Sequence, residues 1–244
     1  MYHRVNGERD PLGLAVEPTR FERQLKWLKR LGYHSLTLAE LATAFETGRK
    51  PPGRRVVITF DDGYLDFYTT AWPLLQKYGL GATVFLVSDY IGSDSSFDQG
   101  LPPGVGPWPL MNYSQLHELQ QGGVEFGSHG ATHRGLDSLN LTEKRDELLR
   151  SRQQLEQRLG QPITAFSYPY ARWTQADFTL LVELGYHTAV SGTDGYFDRF
   201  CLSRLDLTAL PMRVLPFEVS PTLHKIHNRV LYQKIRQLLI KPRS

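Results

Sequence analysis

Five short apolar runs alternate with amphipathic helical stretches, and this rhythm restricts the possible folds more than any other feature of the chain. The runs are "VVITF" (56–60), "ATVFLV" (82–87), "VEFGS" (124–128), "ITAFSYPY" (163–170) and "HTAVSG" (187–192). "VVITF" is apolar without alternation, the pattern of a strand buried on both faces of a parallel sheet. Between and before the runs lie stretches with helical spacing. In residues 19–31, Phe21, Leu25, Leu28 and Leu31 share one face, charged residues fill the other, and Gly32 follows as a stop. Further helices are predicted around Trp72, Leu75 and Tyr78 up to Gly79, over Tyr113 to Gln121, from Thr142 to Leu159 closed by Gly160, and from Ala176 to Leu184 closed by Gly185. Strand–helix alternation implies βαβ units and a parallel sheet. The strand count and the 244-residue length favour an α/β fold closed or nearly closed on itself, a distorted (β/α) barrel of about seven parallel strands resembling a TIM barrel. No G-x-G-x-x-G follows any of the strands, which removes the main support for a dinucleotide-binding sheet.

With 41% hydrophobic and 22% charged residues the chain can bury one full core, and residues 1–220 are expected to form a single domain. Two segments break the rhythm. Residues 91–110, "IGSDSSFDQGLPPGVGPWPL", are too long and too rich in Gly, Pro, Ser and Asp for an ordinary connection and read as a surface excursion that Trp108 pins down. The tail, 221–244, places Val230, Ile235 and Leu238 or Leu239 among Arg229, Lys234, Arg236, Lys241 and Arg243. It reads as a basic amphipathic helix packed on its own domain, with peripheral membrane contact as the secondary reading. A net charge of +3 without a basic stripe in the body of the chain argues against a nucleic-acid partner. The single cysteine, Cys201, has no internal disulfide partner and leaves the redox compartment open. "MYHRVNGERDPLG" lacks the apolar core of a secretory signal and no run is long enough to cross a bilayer. As written, the chain is expected to be soluble and cytoplasmic, or exported to the cell envelope if a leader precedes this start.

In a parallel βα barrel, residues that end strands project into one shared mouth. Here Asp61 and Asp62 end "VVITF"; Ser128, His129 and His133 follow "VEFG"; Tyr168, Pro169 and Tyr170 end "ITAFS"; Ser191 and Asp194 follow "HTAV". In "SHGATH" two imidazoles stand four residues apart, a spacing that on a helical turn shares one face. Two His and one carboxylate form a facial set with coordination positions left free, a catalytic rather than a structural pattern. Successive side chains at a strand end diverge, so one of Asp61 and Asp62 can bind a cation while the other stays free beside it to accept a proton.

These residues resemble the polysaccharide deacetylases of carbohydrate esterase family 4. "TFDDGY" is similar to the family's first motif, "SHGATH" to its second and "YPYARW" to a variant of its third; "YHRV", "FERQLKWLKRLGY", "GATVFLV", "ELLRSRQQLEQRLG" and "ELGYHTAVSG" follow the family's order, so the resemblance runs from about Tyr2 to about Leu207. It implies a metal-dependent hydrolase that removes N-acetyl groups from an N-acetylglucosamine-containing polysaccharide. Asp61 is then the catalytic base and Asp62, His129 and His133 hold a divalent metal, zinc first among the candidates. Metal-activated water attacks the amide, and the backbone N–H of Tyr170 helps to hold the oxyanion. Tyr64 and Arg204 are expected to contact the N-acetylated glycan.

The chain also departs from the family. Ser167 stands where many members have an Arg that orients the base, and Arg172 or Arg204 is the expected substitute. Ala171 replaces the Gly after Pro-Tyr, which predicts a backbone there that avoids positive φ. No Leu-x-His motif is evident, which leaves His224, His227 and His3 as candidate acids. These departures keep two alternatives in view: a carbohydrate-binding relative without turnover, and an amidase acting on a small non-sugar substrate.

Overall fold

The computed structural model describes residues 1–8, 10–98, 101, 105–193, 195 and 198–208. The tail from 221, with His224 and His227, lies outside the described residues, as does Asp194. Element order is β1 (Arg4–Val5), β2 (Ala15–Val16), α1 (Pro18–Arg30), β3 (Tyr33–Ser35), α2 (Leu38–Thr47), β4 (Arg54–Val56), β5 (Thr59–Phe60), α3 (Trp72–Lys77), β6 (Thr83–Leu86), α4 (Tyr113–Gln121), β7 (Glu125–Ser128), α5 (Leu141–Leu159), β8 (Ala165–Ser167), α6 (Ala176–Glu183) and β9 (Thr188–Val190).

Strands β5-β6-β7-β8-β9 form one parallel sheet in sequence order. Single parallel bridges extend it at both edges, Tyr2 on Phe60 and Leu202 on Val190, so five strands and two bridged segments give seven parallel passes. Beyond Leu202 the chain returns to the first pass: the Leu207 N–H donates to the Met1 carbonyl at 3.3 Å. The expected curled (β/α) barrel is therefore present.

One expectation about its wall is corrected. "VVITF" is not a single strand: Val56 pairs with Ser35 in β3, whereas Thr59 and Phe60 pair with Thr83 and Val84. The run bends at Val57–Ile58 because its two halves satisfy backbone groups in different sheets.

Helices α1, α3, α4, α5 and α6 form where their apolar faces predict them, whereas α2 (Leu38–Thr47) has no counterpart among the predicted helices. Phe21, Leu25 and Leu28 of α1 are buried, and Tyr2, Phe21, Phe60 and Phe67 make a run of aromatic contacts with ring centroids 4.8–5.8 Å apart. Helix α5 begins in a capping box of Asn140 and Glu143 and ends at Gly160 with φ 67°, so both ends satisfy their backbone without the core. Its core-facing residues Glu147, Ser151, Leu155 and Leu159 recur every four positions. An acid thus sits in an otherwise small or apolar stripe.

Among the described residues, no helix is long and apolar enough to cross a membrane.

Candidate metal and acid–base site

At the end of β5 the chain turns sharply. Asp62 has φ 72° and Gly63 φ 79°; a side chain at Gly63 would come within 2.8 Å of Leu86 Cδ2, so this position requires glycine on two counts. The turn answers how two neighbouring carboxylates coexist: Asp61 and Asp62 are both buried but face different partners.

Asp61 faces Arg204. The guanidinium grips the carboxylate with both terminal nitrogens, each at 2.7 Å, and also reaches Ser167 Oγ (3.0 Å), Thr59 Oγ1 (3.2 Å) and the Ser191 carbonyl (2.7 Å). Burial alone would raise the Asp61 carboxyl, but the Arg204 charge outweighs it, with help from His129 and His3, and holds the group well below the usual carboxylate range. Ser167, at the position where the family has its arginine, thus receives a hydrogen bond from the arginine that has taken over. Arg172 is exposed and points its guanidinium toward the Tyr170 ring (5.8 Å). Arg204, expected at the glycan, has its guanidinium engaged by Asp61, Ser167, Thr59 and the Ser191 carbonyl.

Asp62 faces two imidazoles. Its Oδ1 lies 3.4 Å from His129 Nε2 and 3.3 Å from His133 Nε2, and ligand atoms of the three residues fall within 4.8 Å of one another. The histidines do not share a helical face as their spacing suggested. Residues 129–133 form a turn with left-handed Gly130 (φ 85°) and His133 (φ 64°), which brings the rings to 4.9 Å between centroids. Glu147 of α5 holds that turn, accepting from Thr132 N (2.6 Å) and Thr132 Oγ1 (2.8 Å). A side chain at Gly130 would lie 2.7 Å from Glu147 Oε1. Sequence reasoning passed over Glu147, although an acid on the core stripe of α5 was the signal.

The donor set fits a divalent cation. Asp62 Oδ1 is buried without a hydrogen-bond partner while two ring nitrogens converge on it, an arrangement that leaves a buried acceptor unsatisfied unless a cation accompanies it. The opposite ring nitrogens are anchored as metal-ligating imidazoles require: His129 Nδ1 sits 2.7 Å from the Ser167 carbonyl, which leaves Nε2 as the free lone pair. Burial lowers His129 to about 4. Burial would lower His133 too, but the carboxylates of Asp62 and Asp98 on either side of the ring push it up to about 9. The same histidines, joined by His3, hold Asp62 below its ordinary value against the effect of burial.

His3 completes the base side, with Nε2 4.0 Å from Asp61 Oδ2 and a side chain 17% exposed. Tyr64, expected at the substrate, is 1% exposed and packs edge-on to Trp108 (6.3 Å). Trp108 pins the loop as anticipated, lying 3.8 Å beneath the Arg4 guanidinium. Tyr170 is 55% exposed at the mouth. The prediction for Ala171 fails: Tyr170 and Ala171 both have φ 56°. The turn after Pro169 is left-handed despite the missing glycine, at a cost of about 1–2 kcal/mol per residue. Among the described residues, the non-glycine positions with positive φ are Asp62, His133, Tyr170 and Ala171, all at this mouth.

Comparison with known proteins agrees with this geometry. Residues 48–189 match the family model described as polysaccharide deacetylase. The chain is 30% identical over 199 residues to the putative polysaccharide deacetylase YxkH of Bacillus subtilis, covering 82% of this chain and 65% of that one. It is 31% identical over 176 residues to a poly-β-1,6-N-acetyl-D-glucosamine N-deacetylase of Staphylococcus epidermidis, covering 68% and 57% respectively. It thus spans less than two thirds of either relative. The Streptococcus pyogenes deacetylase PplD, solved in complex with acetate, superposes with a TM-score of 0.78 at 25% identity, over 91% of this chain and 96% of that one. The family is one of hydrolases acting on a carbon–nitrogen bond, and its model covers more than half of these 244 residues, Asp61, Asp62, His129 and His133 among them: the chain belongs to the polysaccharide deacetylase family.

Proposed function

We propose that this chain removes N-acetyl groups from an N-acetylglucosamine-containing polysaccharide, with zinc held by Asp62, His129 and His133. The observation that carries the reading is the orphaned Asp62 Oδ1 facing two imidazole nitrogens beside a second, ionised carboxylate. When bound, such a cation acts as a Lewis acid and lowers the pKa of water.

The chain's own residues supply the rest. Asp61, kept ionised by Arg204, accepts the proton of the attacking water. The Tyr170 N–H has no acceptor among the described residues and is the donor for the carbonyl oxygen as charge develops on it. His3, whose Nε2 stands 4.0 Å from Asp61 Oδ2, is the group placed to deliver a proton to the departing amine as the C–N bond breaks and to take back the one that Asp61 accepted. With Asp61 and His3 back in their starting states, the acid proton of the acetyl product passes to the amine, and acetate and an ammonium leave with atoms and charge balanced.

The reading without turnover rests on the missing acid motif and the altered third motif; the Arg204 guanidinium on Asp61 weakens the second ground and leaves the first in place. The substrate named for the Staphylococcus epidermidis relative makes a β-1,6-linked N-acetylglucosamine polymer the first to assay. Acetate release is measured on that polymer, on chitin oligomers and on peptidoglycan, with chelator-treated and zinc-restored protein. Asp62→Ala is expected to lose both zinc and acetate release; retention of either sinks the proposal.

A further inference from the structure

We infer that Asp98, carried by the long segment between β6 and α4, is a positioning residue that aims His133 at the cation site and ties it to Tyr170. This rests on the metal-dependent reading above. Asp98 Oδ1 lies 3.4 Å from His133 Nδ1 and accepts from the Tyr170 hydroxyl at 3.0 Å, while that hydroxyl stands 3.1 Å from the same Nδ1. The three groups form a closed triangle on the side of the ring opposite Asp62. Carboxylate and phenol both meet Nδ1 and hold it as a donor, which leaves Nε2, 3.3 Å from Asp62 Oδ1, as the ring atom turned to the cation site.

The segment is built to hold Asp98 there. Its backbone is fixed by Asp98 N donating to the Ser95 carbonyl (3.1 Å); Ser95 in turn exchanges hydrogen bonds with Trp108, through Ser95 N to the Trp108 carbonyl (2.9 Å) and Trp108 N to Ser95 Oγ (3.0 Å). Phe97 is buried and packs on the His133 ring with centroids 4.4 Å apart. The Asp98 side chain is only 13% exposed. One side of the imidazole is therefore walled by Phe97 and its outer nitrogen is met by Asp98, both from the same segment.

The two ligands are thus secured by different means. His129 is anchored by the Ser167 main-chain carbonyl, which no substitution removes. His133 depends on two side chains, Asp98 and Tyr170, from separate loops. Because Tyr170 also carries the N–H assigned to the oxyanion, Asp98 couples the cation site to that donor through one residue.

The test is a zinc titration of the full chain against a chromophoric chelator, with cobalt-substituted protein read by its visible absorption. Asp98→Ala is expected to weaken zinc binding about 10- to 100-fold and to shift the cobalt bands, and Asp98→Asn, which keeps an acceptor, to lose less. Asp94→Ala serves as the comparison: it removes a cap on Ser96 N in the same segment without a contact to His133, and should stay within about twofold of wild type. Should Asp98→Ala fail to fold, the Asp98→Asn titration and cobalt spectrum decide alone. Zinc affinity and cobalt bands unchanged in the Asp98 variants, or changed equally in Asp94→Ala, overturn the inference. A wild-type chain that binds no zinc overturns the deacetylase reading and this inference together, whereas tight zinc retained by the Asp98 variants removes this inference alone.

Discussion

The two halves of the mouth are built on different principles. On the base side, Asp61 sits at the end of β5 and is clamped by Arg204, with Ser167, Thr59 and the Ser191 carbonyl taking the remaining guanidinium contacts, all of them buried. On the ligand side, His133 leans on Tyr170, 55% exposed, and on Asp98 from a long surface segment. The first half is a sealed ion pair whose charge state is set before any substrate arrives; the second is assembled by loops. On the proposed reading, the contrast teaches that the proton acceptor is held by a buried ion pair at the sheet end, whereas His133 and Tyr170 depend on connections that can differ in length and sequence without disturbing Asp61.

The largest effect should come from breaking the sealed half. Arg204→Met leaves a buried carboxylate without its partner, and the loss of stability is expected to be about 3–5 kcal/mol, read by urea unfolding. The pH dependence is more diagnostic. In the wild type Asp61 is held below its unfolded value of about 4, so the pairing stabilises the fold above that pH and its contribution is lost as pH falls through the folded value. Without Arg204, burial remains and raises the carboxyl; the Asp61 contribution then changes sign, and this part of the stability declines as pH rises past the unfolded value. The acid limb of the acetate-release profile should move upward in the same variant. An acid limb that stays in place would show that Arg204 does not set the base.

A smaller but broader effect is expected from Glu147→Ala, which removes the acceptor for Thr132 N and Oγ1 under the turn carrying both histidines. Leaving a buried donor unpaired costs about 1–3 kcal/mol. Unlike Arg204→Met, it should also weaken zinc binding while leaving the acid limb of the pH profile unmoved. Separation of those two readouts is what the comparison of halves requires; if Glu147→Ala shifts the acid limb as much as it weakens zinc binding, the halves are not independent.

How much of this the chain announces depends on sequence distance. Asp61, Asp62, His129 and His133 are legible because each pair lies within five residues and at the end of a recognisable apolar run. Arg204 is not fixed by its neighbours: it meets Asp61 across 143 residues, and nothing in "LSRLDL" distinguishes a base clamp from a substrate contact. Asp98 lies in a stretch read only as a surface excursion, and the packing that turns it inward is tertiary. Strands β3 and β4 escape periodicity because each has three residues and β4 carries two exposed arginines. The barrel itself was readable because helix and strand periods recur in register with glycine stops, a signal distributed over the whole chain.

Trp108→Ala probes the loop-built half at its anchor. A stacked, largely desolvated guanidinium–indole pair contributes about 2 kcal/mol, and here it fastens the segment bearing Asp98 over Arg4, itself only 2% exposed. Global stability should fall by about that amount or less. Zinc affinity should fall with it, and the pH profile should keep its acid limb. Unchanged zinc affinity would mean that residues 91–110 hold Asp98 in place without their tryptophan.

The smallest expected change is the one that isolates strain from chemistry. Of the left-handed residues at the mouth, Asp62, His133 and Tyr170 each have a side chain aimed at a partner, whereas Ala171 has only a methyl group. Ala171→Gly relieves about 1–2 kcal/mol of left-handed strain but returns about 0.4–1 kcal/mol of unfolded-state entropy, so stability in urea unfolding should rise by no more than about 1.6 kcal/mol. With the Tyr170 hydroxyl still tethered to Asp98 at 3.0 Å, kcat/KM should remain within about twofold of wild type. A gain in stability paired with a marked loss of kcat/KM would place the rigidity of the turn, rather than the Asp98 tether, in control of the oxyanion donor, and would move the boundary between the two halves to Pro169.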